Sequence, residues 1–255
     1  MIKIAVILFP GTNCENETAR AIKAVGMDAS IVRWNDAYKL DSFEGYILPG
    51  GWSYEDRIRA GVISAQDPLM KIIKKQAALG KPILGICNGC QILVESGLVP
   101  GLKDQIQMAL APNIKDPLAG FFCTWVKMKH VGKKNAFNLF YRENEIIDIP
   151  IAHAEGRFTT IEKGLMNKLK SNGQITFQYC DSNGDVIESY PTNPNGSLLN
   201  SAGICNKKGN VLAMMPHPER ATFGYQAKEK KINELLPASK IFASMKKYIE
   251  QRISK

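Results

Sequence analysis

The 255-residue chain predicts an α/β fold: an open, mostly parallel central sheet flanked by helices, followed by a smaller antiparallel, strand-rich portion. Two observations carry this. Short runs that are apolar throughout, such as "KIAVILF" (3–9) and "PILGI" (82–86), have a strand's length and the composition of strands buried on both faces. Segments with helical spacing alternate with them, the signature of parallel strands joined by helical crossovers. Beyond residue 120, strand-like runs follow one another between turn clusters such as "DSNGD" and "NPNGS", which points to antiparallel pairing.

The first strand ends in the turn signal Pro10-Gly11-Thr12-Asn13. "ENETARAIKAV" (15–25) is helical, with acids in its first turn and Gly26 after its last. "ASIVRW" (29–34) and "FEGYILP" (43–49) read as two further strands. Asp67 and Pro68 open a helix that stops at Gly80, since Asp caps and Pro suits the first turn. "PILGI" follows, then a helix carrying Gln91, Ile92, Leu93 and Val94. Strands are predicted at 121–130, 174–180, 201–206 and 210–215. Residues 221–237 form a charged insertion, predicted to be the least structured segment. A helix over about 238–254 puts Ile241, Phe242, Met245, Tyr248, Ile249 and Ile253 on one stripe. The whole, 1–255, reads as a single domain.

Composition narrows the function. Hydrophobic residues make up 45% and charged residues 22%, as in soluble globular chains. The run "IAVILF" is too short for a membrane span or a signal-peptide core. Six scattered cysteines suggest reduced thiols and a cytoplasmic setting. The net charge of +9 admits an acidic partner, but the lysines are dispersed and no nucleic-acid motif accompanies them.

Cys87 and Cys90 in "PILGICNGCQIL" (82–93) leave three readings open. A metal site needs four ligands, and no second Cys-x-x-Cys or close histidine pair supplies the rest. A thioredoxin-like redox pair also follows a strand, although here at least three strands and a helix come first. The third reading is a nucleophile elbow. "GICNG" is the thiol counterpart of Gly-x-Ser-x-Gly, in which glycines remove side chains that would clash across a sharp strand-to-helix turn. Cys87 would then sit at a helix N-terminus and Cys90 would face the core.

A cysteine nucleophile needs a base. His130 lies among lysines and reads as an exposed, idle ring. His153, in "IAHAEGRF", remains a candidate, with Glu155 close by in sequence. His217, in "MMPHPER", has better surroundings. Met215 and His217 each precede a proline and are driven toward extended geometry, which turns His217 and Glu219 to one side. Glu219 can then orient the ring, the third role of a triad. The amide of Asn88, and the Gly50-Gly51 pair ending the strand at 43–49, are placed to supply oxyanion donors.

"GICNGCQIL" together with "MMPHPER" resembles the class I, or triad, glutamine amidotransferases. "FPGTNCE" (9–15), "LPGGWSYEDRIRAG" (48–61), "IAHAEGRF" (151–158) and "NPNGS" (193–197) are similar to the glutaminase subunits of phosphoribosylformylglycinamidine synthases, which serve purine biosynthesis. The resemblance implies Cys87 as nucleophile, His217 as general base, Glu219 as its orienting group, and the amides of Gly51 and Asn88 as oxyanion donors. Gly50, Gln91, His153 and Glu155 fall in stretches that fit the glutamine pocket. No metal is implied, and no cofactor in this chain. The chain has no Walker-type loop, so an ATP-using partner is expected; the resemblance implies that this is a large synthase subunit, holding ATP and Mg, with a small adaptor. Three rivals stand beside this reading: the glutaminase of another amidotransferase, a stress or chaperone protein with a cysteine elbow, and a non-catalytic interaction module on the same scaffold, which would be expected to have lost Cys87 or His217.

Overall fold

The computed structural model describes residues 1–103, 105–114, 120–227 and 234–254. Its frame is a nine-stranded sheet with flanking helices. The first half supplies β1 (Lys3–Leu8), α1 (Glu15–Ala24), β2 (Asp28–Arg33), β3 (Gly45–Leu48), α2 (Val62–Gln66), α3 (Pro68–Ala78), β4 (Ile83–Ile86) and α4 (Asn88–Glu95). The second half supplies β5 (Ala109–Ala111), β6 (Phe122–His130), β7 (Ile146–His153), β8 (Arg157–Thr159), α5 (Leu165–Asn172), β9 (Ile175–Cys180), β10 (Ser201–Cys205), β11 (Val211–Met214) and α6 (Lys240–Ile253).

The strand order is β2-β1-β3-β4-β11-β10-β9-β6-β7. The five strands from β2 to β11 pair in parallel, and the remaining pairings are antiparallel. The strand-rich second half thus extends the same sheet; among the described strands, β5 and β8 pair apart from it. Burial explains the composition: β1 is buried from Ile4 to Ile7, and β3, β4 and β11 are buried along their whole length. At the sheet edge, β2 buries only Val32 completely and is correspondingly polar.

Helix chemistry follows the sequence. The Asp67 carboxylate accepts the Leu69 N–H at 2.8 Å and Pro68 opens α3. On α6, Ile241, Phe242, Met245 and Ile249 are buried. The helix is also tied down by Lys246 Nζ to Val25 O, Tyr248 Oη to Gly80 O, and Arg252 Nη2 to Leu79 O.

Three expectations change. β7 and α5 were not anticipated from the sequence. The insertion at 221–237 lies partly outside the described residues, at 228–233. Its flanks are ordered, with a bridge between Phe223 and Leu235, and Gln226 Oε1 accepting the amides of Thr222 and Phe223. His130 is buried rather than exposed. Nδ1 pairs with Arg142 O at 3.2 Å and Nε2 with Asn138 Nδ2 at 2.7 Å, and burial lowers its pKa. Lys127 and Lys129 fall on the opposite face of β6 because alternate residues of a strand face opposite sides, whereas Lys134, beyond the strand, adds its charge to the lowering of the ring's pKa.

Candidate active site

Ligands of open α/β sheets gather beyond the carboxyl ends of parallel strands. Four of those ends meet here: β1 leads to Asn13 and Cys14, β3 to Gly50 and Gly51, β4 to Cys87, and β11 to His217. The sheet is curled enough for β7, its far edge, to return over them. His217 N–H donates to Pro150 O at 2.9 Å, and Cys87 Sγ lies 3.5 Å from Ala152 O.

Cys87 joins β4 to α4 with φ 51° and ψ −106°, in the positive-φ region that few side chains tolerate. Its neighbours make the turn possible. A Cβ on Gly85 would lie 2.4 Å from Gly89 O, and one on Gly89 would lie 1.9 Å from Leu48 O. Cys87 N–H to Met214 O (2.9 Å) and Gly89 N–H to Pro49 O (3.1 Å) lock the turn against β11 and β3. Cys90 is fully buried on α4, and burial pushes its thiol pKa well up.

His217 Nδ1 and Glu219 Oε1 are 2.6 Å apart, with both side chains buried. Burial opposes the protonated ring, but the Glu219 charge, followed by the nearby Cys87 and Cys14 thiols, holds the His217 pKa well above its ordinary value. Nε2 is buried and makes no hydrogen bond. Glu219 is held in turn: Gln226 Nε2 donates to its carbonyl at 2.9 Å, and Arg220 Nε stands 3.9 Å from its carboxylate.

Gly51 has φ 149°, and a Cβ there would strike Gly11 O at 2.6 Å and Asn13 N at 2.7 Å. The bridge between this loop and the β1 loop uses Asn13 N–H to Gly50 O and Trp52 N–H to Gly11 O, so it does not engage the Gly51 amide. Asn88 is the first residue of α4, where backbone N–H groups lack helical acceptors. Gly50 lies between the reactive groups: its Cβ would meet His217 Cε1 at 2.8 Å, Cys14 Sγ at 3.2 Å and Cys87 Cβ at 3.4 Å.

The cleft over Cys87 encloses about 600 Å³, including its open mouth, where Trp52 stacks on Phe121. Cys87, Gly51, Gln91, His153 and His217 line it. Gln91 is committed to the frame: Oε1 accepts from Asn88 Nδ2 at 3.0 Å and Nε2 donates to Glu155 O at 2.8 Å. His153 Nδ1 pairs with Asn113 Oδ1 at 3.1 Å. Burial, helped by the His217 charge, lowers the His153 pKa to about 3, so the ring is neutral. Glu155 does not line the cleft, but its charge bears on Asp56, which does.

Asp56, Cys14 and Arg220 also line the cleft, and sequence reasoning did not single them out. Asp56 sits in a run of positive φ at Tyr54, Glu55 and Asp56 (53°, 59° and 51°) and accepts from Asn88 Nδ2 at 3.1 Å. Burial, then the charge of Glu155, raises its pKa to about 6. The only sequence signal for it was its place four residues after "GGW".

A family described as the CobB/CobQ-like glutamine amidotransferase domain matches residues 1–249. The chain belongs to that family. Among curated members, phosphoribosylformylglycinamidine synthase subunit PurQ of Methanothrix thermoacetophila is 48% identical, over 99% of this chain and all of the relative. The Pyrococcus furiosus PurQ is 45% identical over 90% of this chain and 93% of the relative. Among solved structures, a chain of PurLQS from Thermotoga maritima is 34% identical, with a TM-score of 0.78 over 97% of this amidotransferase chain and 99% of that one. The glutaminase domain of Trypanosoma brucei CTPS shares the fold at 14% identity, with a TM-score of 0.60 over 98% and 94% of the two chains.

Proposed function

We propose that this amidotransferase is the glutaminase subunit of a phosphoribosylformylglycinamidine synthase. It hydrolyses the side-chain amide of glutamine and hands the ammonia to a synthase subunit that makes formylglycinamidine ribonucleotide. The observation that carries the chemistry is Cys87 in an elbow at the N-terminus of α4, beside the buried His217–Glu219 pair. The relatives named PurQ, matched along nearly their whole length, support the choice of synthase.

In this reading Cys87 Sγ, its proton passed to His217, attacks the amide carbon of glutamine. The oxyanion forms between the amides of Gly51 and Asn88, donors most effective where charge develops. His217 returns the proton to the leaving nitrogen, ammonia departs, and a γ-glutamyl thioester remains on Cys87. A water molecule activated by His217 then releases glutamate. Glu219 keeps the ring oriented and stabilises its charged form. Asp56, with Glu155 behind it, offers the cleft a negative wall suited to the substrate's α-ammonium. Neutral His153 fills the wall opposite without adding charge.

The glutaminase step needs no cofactor. ATP and Mg act on the large synthase subunit, and a small adaptor completes the complex. Residues 1–255 act as one domain in the cytoplasm; no described helix is long and apolar enough to cross a membrane. The test is labelling with a diazoketone analogue of glutamine, the adduct being mapped by mass spectrometry with free glutamine as competitor. A single adduct on Cys87, blocked by glutamine, is expected. Labelling of Cys14 or Cys90 that glutamine does not block would overturn the assignment.

A further inference from the structure

A second thiol stands at the reactive centre, and the glutaminase chemistry gives it no task. Cys14 immediately precedes α1, is 2% exposed, and lines the same cleft as Cys87. Its sulfur, a ring nitrogen of His217 and a carboxylate oxygen of Glu219 all lie within 4.8 Å of one another. Arg220 Nη2 donates to Cys14 Sγ at 3.3 Å, and the thiol itself donates to Asn13 Oδ1 at 3.1 Å. The space between the two cysteines is the space a Cβ on Gly50 would fill, 3.2 Å from Cys14 Sγ and 3.4 Å from Cys87 Cβ. Glycine adds no side chain of its own there, and the His217 ring, its Cε1 2.8 Å from the same point, borders the gap. Cys87 Sγ lies 3.5 Å from Ala152 O, so closing the pair requires it to leave that contact.

We propose that Cys14 is a resolving cysteine, which converts Cys87 oxidised by hydrogen peroxide into a reversible Cys14–Cys87 disulfide. Cys87 thiolate attacks one peroxide oxygen; the O–O bond breaks, hydroxide leaves, and a sulfenic acid forms. Cys14 thiolate then attacks the Cys87 sulfur; the S–O bond breaks, a second hydroxide leaves, and the S–S bond closes. The two thiols lose two electrons and two protons, and the peroxide becomes two waters. His217, beside both sulfurs, is placed to take the thiol protons, and Arg220 stabilises the attacking Cys14 sulfur. The disulfide removes the nucleophile but protects it from sulfinic acid, the step that thiols do not reverse.

The partner is therefore Cys14, 73 residues away by subtraction of the two positions, rather than Cys90 of the Cys-x-x-Cys motif. Cys90 lies in the core, does not line the cleft, and its thiol is held protonated by burial. Cys123 is exposed and serves as the internal comparison.

The inference rests on Cys87 being the reactive thiol of the proposed function, and its test reads mass as well as turnover. The full chain is treated with graded hydrogen peroxide, alkylated, digested without reductant and mapped. Expected are a Cys14–Cys87 cross-linked peptide, in the C90S chain as well, and loss of glutamine hydrolysis that dithiothreitol restores. In C14S, Cys87 should advance to sulfinic acid and the recovered fraction should fall several-fold. Cys87 sulfinic acid without a cross-link in the unaltered chain would overturn the proposal, and so would equal recovery in C14S. Mapping of the unaltered chain decides alone if C14S does not fold. A chain that forms the link but never hydrolyses glutamine, alone or with its synthase, would count against the proposed function and leave this inference standing.

Discussion

The 2.6 Å contact between His217 Nδ1 and Glu219 Oε1 sets the charge on the His217 ring, which lines the cleft with Cys87. Replacing Glu219 by Gln keeps the shape and removes the charge, so the imidazolium loses its stabilising partner. Glutamine hydrolysis should fall by about 10²–10⁴-fold, the usual range for disabling acid–base assistance, with the fold intact by circular dichroism. Asp56 gives a separate, pH-dependent signature. Its folded pKa, about 6, lies above the ordinary 3.8, so the native state holds this proton more tightly than the unfolded chain. Its contribution favours folding below about pH 4 and is lost as pH rises through 6. The difference in melting temperature between Asp56→Asn and the unaltered chain should grow in favour of the variant from pH 4 to pH 7. A flat difference would mean the carboxyl is not displaced. Cys87, His217 and Glu219 could be put forward at this scale, as the proposed nucleophile, base and orienting acid, because such roles leave short, chemically odd motifs. Asp56 was not, because its importance comes from facing Glu155 and the Asn88 amide across three chain segments.

At the scale of elements, the elbow depends on two glycines for steric reasons. Gly89→Ala drives a methyl against Leu48 O at 1.9 Å, so β3 and α4 must separate. We expect a loss of about 3 kcal/mol or more in denaturant unfolding, the upper range of overpacking costs, together with loss of Cys87 labelling. At α3, Asp67→Ala removes the N-cap and the partner of Tyr54 Oη, and should cost about 1 kcal/mol. β1, α1, α3 and β4 could be read because each pairs a clear period with a start or stop residue. β7 could not: Pro150 inside "IIDIPIAH" argues against a strand. It is tolerated because β7 is the sheet's edge, where a missing N–H need not break a ladder. His130 was misjudged for a related reason, since charged neighbours in sequence say little about a residue whose strand turns them away.

For the molecule as a whole, α6 acts as a strap across the loops after α1 and α3, far along the chain from either. Four of its apolar side chains are at most 1% exposed: Ile241, Phe242, Met245 and Ile249. At about 1.5–3 kcal/mol each, their burial rivals the roughly 5–15 kcal/mol that holds a whole domain together. Removing α6 should therefore abolish cooperative unfolding, although no residue of the cleft is deleted; a retained sharp melt would show the strap to be dispensable. The sequence by itself determined the α/β class, offered the elbow as one reading of Cys87, and turned His217 and Glu219 to one side, because these depend on local periodicity and on residues a few positions apart. Only the tertiary structure decided that one curled sheet carries both halves of the chain, that β7 closes over Cys87, and that Cys14 and Asp56 stand in the cleft. Those relations are contacts between segments distant in sequence, and no local pattern encodes which strand ends will meet.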